Sequence, residues 1–115
     1  MGKSENEKTQ KIAELNDLCR TAMGLFGPVF QTAGINALPP ATQSAIREKV
    51  ECFDTFNADN NPYGERDFGA FEHQGQKIFW KIDYYAKDDL TRGSEKPESP
   101  AHTTRVLTIL LAEEY

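Results

Sequence analysis

The chain has 115 residues, of which 38% are hydrophobic, 10% aromatic and 27% charged, with a net charge of −5. This composition fits one soluble domain with one core, and no apolar run approaches the roughly 20 residues of a membrane-spanning helix. The acidic balance argues against direct nucleic-acid binding, which needs a basic face.

Residues 1–8 are polar and read as a disordered N-terminal tail, leaving 9–115 as a single α+β domain. The opening "MGKSENEKTQK" has no apolar stretch behind a basic end, so no secretory signal is expected and the cytoplasm is the expected location. Ile12, Leu15, Leu18, Ala22 and Met23 recur at helical spacing with charges between them, which predicts a helix over 5–23. Gly24 and Gly27-Pro28 end it. "PVFQTAGINAL" predicts a short strand with a bend at Gly34. Pro39-Pro40 suits the first turn of a helix, and Ala45, Ile46, Val50 and Phe53 continue one stripe, so a second helix is expected over 40–54. Arg47 and Glu51 are spaced to pair on its wet side.

"DFGAFEHQGQKIFWKIDYYA" predicts a β-hairpin turning at Gln74-Gly75. A two-residue loop sets Glu72 opposite Lys77, Phe71 opposite Ile78 and Gly69 opposite Trp80. Alternation then sends Phe71, Ile78, Trp80, Ile82 and Tyr84 to a core face. Phe68, Glu72, Lys77, Phe79, Lys81, Asp83 and Tyr85 go to the other. Gly69 leaves room for the Trp80 ring. "KDDLTRGSEKPESP" reads as a polar loop. "TTRVLTILL" is rich in β formers and predicts a strand buried on both faces, antiparallel to the second hairpin strand. Ser99-Pro100 and "LLAEEY" keep a terminal helix as the second reading. The expected fold is two helices packed on the Trp80 face of a three- to four-stranded antiparallel sheet.

Cys19 and Cys52 sit in helical patterns with no C-x-x-C, and neither His73 nor His102 stands at zinc spacing, so both are expected as reduced core thiols. No metal or other cofactor is implied. Catalytic signatures are also missing: no G-x-S-x-G elbow occurs, and "DFG" at 67–69 lacks the kinase phosphate loop, catalytic loop and length. A protein that works by binding is therefore favoured over an enzyme.

The charge is concentrated. Between Glu51 and Glu72 lie six acids and one base, which account for the whole −5, while the remaining residues carry twelve of each sign. The centre of this segment is "NADNNPYGERDFGAF". As a calcium loop starting at Asp59 it places Asn61, Gly64 and Asp67 well, but Tyr63 and Ala70 stand where oxygen ligands are needed. The remaining readings are an acidic turn built by Asn, Pro and Gly, a contact surface, or a non-standard site of Asp59, Asn61, Glu65 and Asp67. The Phe68, Phe79 and Tyr85 face mixes aromatic and charged residues, as contact surfaces do.

"FDTFNADNNPYGERDFGAFE", "IFWKIDYYAKDDLTRGSEKPESP" and "TTRVLTILLAEEY" together resemble a small bacterial family of unknown function. Its members carry F-D-x-F-x-x-D-N-D-P-x-G-E-H-D-F-G, F-W-K-I-D-Y-Y and R-V-L-T-I-M-L-A-x-E-Y. The resemblance covers about residues 10–115. It implies a protein found largely in alphaproteobacteria, often on plasmids and other mobile elements, with no established activity. The family often has Asp at the position of Asn61 and His at that of Arg66, and both departures weaken a metal reading here.

Charge and resemblance together give the functional expectation. It is an accessory protein that binds a partner with a basic surface, such as a CRISPR or restriction effector, and inhibits it by occupying its nucleic-acid channel. The contact residues expected are Asp59, Tyr63, Glu65, Asp67, Phe68 and Glu72. The alternative is a metal- or carboxylate-dependent hydrolase using the Asp59–Asp67 loop.

Overall fold

A computed structural model describes residues 2–115, with side chains from Glu5 onward. Helix α1 spans Gly2–Thr21 and strand β1 Val29–Gln31. Two further helices follow, the short α2 (Ala33–Asn36) and α3 (Pro40–Glu51). Strands β2 (Phe68–His73), β3 (Gln76–Ala86), β4 (Asp89–Gly93) and β5 (Thr103–Leu111) complete the sheet, and a 3-10 turn, Ala112–Glu114, closes the chain. The result is α+β with three helices and a mixed five-stranded sheet, not two helices on a purely antiparallel one. The strand order is β1-β5-β3-β2, with β4 also paired to β3.

Helix α1 takes in residues 2–8 of the segment expected as a tail. Glu5 to Lys8 are all exposed, so the helix runs on there through good helix formers without burying a face. Its buried residues are Ile12, Ala13, Asn16, Cys19 and Arg20, and Gly24, at φ +85°, turns the chain after it. Helix α3 begins at Pro40 as expected but ends at Glu51, and the Cys52 that follows is exposed. Only Cys19 is therefore a core thiol, and burial pushes its pKa up. Arg47 does not pair with Glu51. It donates instead to Gln31 Oε1 (2.7 Å) and Ser44 Oγ (3.1 Å).

The hairpin has the register expected of it, from His73 opposite Gln76 through Gly69 opposite Trp80 to Phe68 opposite Lys81. Gln74 and Gly75 both have positive φ, +52° and +81°, which matches the right-handed strand twist. Strand β5 pairs antiparallel with β3 over nine residues, from Ile78–Leu111 to Ala86–Thr103. This settles 103–111 as strand, and the helical tendency of the terminus survives only as the 3-10 turn.

Two features separate this sheet from the expected one, a parallel edge strand and a fifth strand. Strand β1 pairs parallel with β5, Val29 beside Leu107, and stops after three residues because α2 begins at Ala33. Gly34 lies inside α2 and not at a bend in the strand. A Cβ there would come 2.6 Å from Leu111 Cδ1 and 2.7 Å from Glu114 Oε1. Glu114 holds the terminus against α2 by accepting from the Thr32 hydroxyl, the Gly34 N–H and the Leu111 N–H. The polar segment after β3 contains β4, whose five residues are all exposed. With neither face buried, it shows no alternation in sequence.

Ile78, Trp80 and Ile82 of β3 and Leu107, Ile109 and Leu111 of β5 meet Cys19, Ile35, Ile46 and Val50 of the helices in one core. All three helices thus lie on the Trp80 face. Phe53 and Phe56 pack edge-on to the Trp80 ring at 5.5 and 6.2 Å. Gly69 sits beneath them, and a Cβ there would come 2.7 Å from Phe53 Cε1 and from Trp80 Cε2. Arg20 lies over the same ring at 5.3 Å and donates to the carbonyls of Val50 and Glu51. It thereby satisfies orphan acceptors at the C-terminus of α3.

Candidate functional site

The acidic turn between α3 and β2 is built by its asparagines. Asn57 Oδ1 accepts from the N–H groups of Asp59 and Asn60, and Asn60 returns a bond by accepting from the Asn57 N–H. Asn61 Oδ1 accepts from the Arg66 N–H at 2.8 Å. The chain then passes through left-handed backbone at Gly64 (φ +75°) and Arg66 (φ +54°), which aims successive side chains in opposed directions. Arg66 grips Asp17 of α1 through Nε at 3.1 Å and Nη2 at 2.8 Å, a two-pronged ion pair. The lone base of the acidic segment is thus its anchor to the first helix.

The six expected contact residues fall into three groups. Asp59 and Tyr63 are exposed on the turn, Tyr63 at 82%. Glu65 and Asp67 are partly buried, and Glu65 lies against α1. Glu65 Oε1 accepts from the Tyr84 hydroxyl at 2.7 Å, and the Glu65 carbonyl accepts from Asn16 Nδ2 at 2.9 Å. Burial holds the Asp67 carboxyl above the usual carboxylate range, and the charges of Glu65 and Asp83 push the same way. Phe68 and Glu72 sit on β2 and face the other side of the sheet. Glu72 is opposite Lys77 as expected, yet no ion pair forms between them within 4 Å; Lys77 Nζ lies 5.9 Å over the Phe79 ring instead. No group of three or more His, Cys, Asp and Glu side chains placed to hold a metal ion occurs among the described residues.

The sheet face away from the helices is a second feature. Pairing puts Phe30, Thr108, Lys81 and Phe68 in one row across it, and Leu110, Phe79 and Ala70 in the next. Phe68, Phe79 and the terminal Tyr115 form a triad of edge-on rings, 5.1 to 6.3 Å apart. Phe30 is 56% and Tyr115 77% exposed, and Lys81 and Asp83 form an ion pair at 3.0 Å beside them. All the core residues that the three helices contribute lie on the opposite face. Tyr115 leans over the aromatic one, where Phe68 and Phe79 are half-buried and Val106 and Leu110 are buried. Phe30 and Tyr115 were not among the expected contact residues, because Phe30 joins this face only through the parallel β1–β5 pair.

Sequence spacing also gave no sign of a polar network under the turn. Asn16, fully buried on α1, donates to Glu65 and to Tyr84 Oη (2.8 Å) and accepts from Arg105 Nε (2.8 Å). Burial drives the Tyr84 pKa far above its usual value, so its hydroxyl stays a neutral donor to Glu65.

A family model described as a protein of unknown function, DUF3768, matches residues 31–114. The chain belongs to the DUF3768 family. The DUF3768 match runs from the last residue of β1 to the end of the terminal turn and includes the acidic turn and the strands β2 to β5. Helix α1, with Asn16, Asp17 and Arg20, lies outside it. No curated protein and no solved structure matches the chain. No helix of the described residues is long and apolar enough to cross a membrane.

Proposed function

We propose that this DUF3768 protein acts by binding another protein, and that the aromatic face of its sheet opposite the helices, bordered by the acidic turn, is the contact surface. One observation carries the reading: an aromatic triad and Phe30 lie on a sheet face that no helix covers. Aromatic rings surrounded by charges supply much of the energy at protein interfaces. Asp54, Asp59 and Glu72 are exposed and in no ion pair among the described residues. They favour a basic partner. The finer proposal is an accessory protein of a mobile element that inhibits a defence nuclease, CRISPR or restriction, by occupying its nucleic-acid surface. The placement of Glu65 and Asp67 moves the weight of the contact to Asp59, Tyr63, Phe68 and Glu72, joined by Phe30 and Tyr115.

The test is DNA cleavage by purified CRISPR and restriction effectors with and without the protein, alongside direct binding. Inhibition that weakens with added salt and is lost in the Asp59→Lys, Glu72→Lys double variant is expected. Effectors that cleave unimpeded sink the finer proposal. A partner whose affinity ignores both the charge reversal and Phe79→Ala sinks the contact surface itself.

A further inference from the structure

On the helix side of the sheet, away from the proposed contact face, Arg105 is a buried cation with no carboxylate in contact among the described residues. It is 5% exposed and stands opposite Tyr84, whose ring centroid is 5.1 Å from the guanidinium carbon. Its Nε donates to the Asn16 amide oxygen at 2.8 Å, and its Nη2 donates to the Pro97 carbonyl. Both acceptors are neutral. Among the described residues no carboxylate lies within 4 Å of it. The nearest carboxylate in its hydrogen-bond chain, Glu65, is linked to it through Tyr84 and Asn16 and acts on it by charge from beyond that distance. Burial lowers the Arg105 pKa, yet a guanidinium keeps its proton in proteins, so the charge stays.

Buried charges are normally paired, and a cavity opens in front of this one. It measures about 270 Å³ and is lined by Leu15 and Leu18 of α1, Phe26, Pro100, Lys87 and Arg105. Leu18 and Phe26 are 47% and 55% exposed, so the walls present apolar surface that the core does not use. Lys87 adds a second cation at the rim, where its ammonium donates to the Pro100 carbonyl at 2.9 Å. Arg105 Nη1 has no hydrogen-bond partner among the described residues yet is not sealed from solvent, and Arg105 is part of the cavity wall.

We propose that this cavity binds a small organic anion, a carboxylate with a short apolar body, its carboxylate on Arg105 and Lys87 and its body against Leu15, Leu18, Phe26 and Pro100. Apolar walls with few convergent polar groups characterise ligand sites, and the volume lies at the small end of their range. Arginine gives carboxylates their strongest hydrogen bonds.

The experiment titrates the full-length protein with hexanoate and benzoate by amide NMR, with hexanol, hexylammonium and sulfate as controls. Saturable shifts at Leu15, Leu18, Phe26 and Lys87 and at the Arg105 Nε–H are expected from the carboxylates. They should bind about tenfold more tightly than hexanol, the worth of one charge-assisted hydrogen bond. Leu18→Glu, a change at an exposed helical position that leaves the fold intact, should weaken them at least about tenfold by setting a like charge at the mouth. Equal affinity for hexanoate and hexanol, equal affinity for hexanoate and sulfate, no saturable shift up to millimolar carboxylate, or undiminished binding by Leu18→Glu would each overturn the proposal.

Discussion

Asn16 shows how one amide can hold an arrangement together. Its two amide protons go to the Glu65 carbonyl and the Tyr84 hydroxyl, and its oxygen takes the Arg105 Nε proton. Asn16→Leu should therefore cost about 2–4 kcal/mol in urea denaturation, because one buried and two part-buried groups lose a partner together. Tyr84→Phe removes only one hydroxyl and should cost about 1–2 kcal/mol. Asp67 works in the opposite sense. Its folded pKa is raised above the unfolded value of a carboxyl, so between those two pKa values the folded state binds more protons. Stability contributed by this group is full below the unfolded pKa and falls as pH rises through the folded one. Asp67→Asn should thus raise the melting temperature at pH 7, and the gain should vanish in acid near and below the ordinary carboxylate pKa. A gain independent of pH would mean that the charge of Asp67 is not what the fold resists.

At the scale of elements, the hairpin and its cover depend on close approach. Gly69 lets the Trp80 and Phe53 rings reach the backbone of β2, and a methyl group there would come within 2.7 Å of both. Gly69→Ala should destabilise by about 1–3 kcal/mol, the cost of overpacking a filled core, with a shift in Trp80 fluorescence as the local readout. An unchanged unfolding midpoint would show that the rings can retreat freely. Arg66 makes the neighbouring turn an element in its own right. The turn is held by asparagine side chains within and by the Arg66–Asp17 pair to α1, so it presents Asp59 and Tyr63 from a fixed base.

For the whole molecule, the asymmetry of the two sheet faces matters most. One carries three helices and the core, and the other has Tyr115 leaning over Phe68 and Phe79, with Phe30 at its edge. Substituting an exposed residue on the open face should leave stability nearly untouched. Phe30→Ser is expected to change the unfolding free energy by less than about 0.5 kcal/mol while weakening partner binding and any self-association seen by light scattering. A large loss of stability would show that Phe30 is packed into the fold and is not a contact residue. Net charge adds reach to this face, because the imbalance of −5 resides in the segment that ends on it.

The sequence by itself determined what depends on neighbours along the chain. Alternation from Phe68 to Tyr85 and the Gln74-Gly75 turn set the hairpin register residue by residue, since a slip of one would move Trp80 out of the core. Helical spacing placed α1 and α3, and the β formers of 103–111 placed β5. Only the tertiary structure decided what depends on residues far apart. The parallel β1–β5 pair brought Phe30 to the aromatic face, and α1 met the turn through Asp17 and Arg66. Asn16 and Arg105, 89 residues apart, came into contact. Glu65 was turned inward by left-handed backbone at Gly64 and Arg66. Periodicity records which way a side chain points from its own element. It holds no record of what another element brings to meet it, and there the polar network and the cavity beside Arg105 were made.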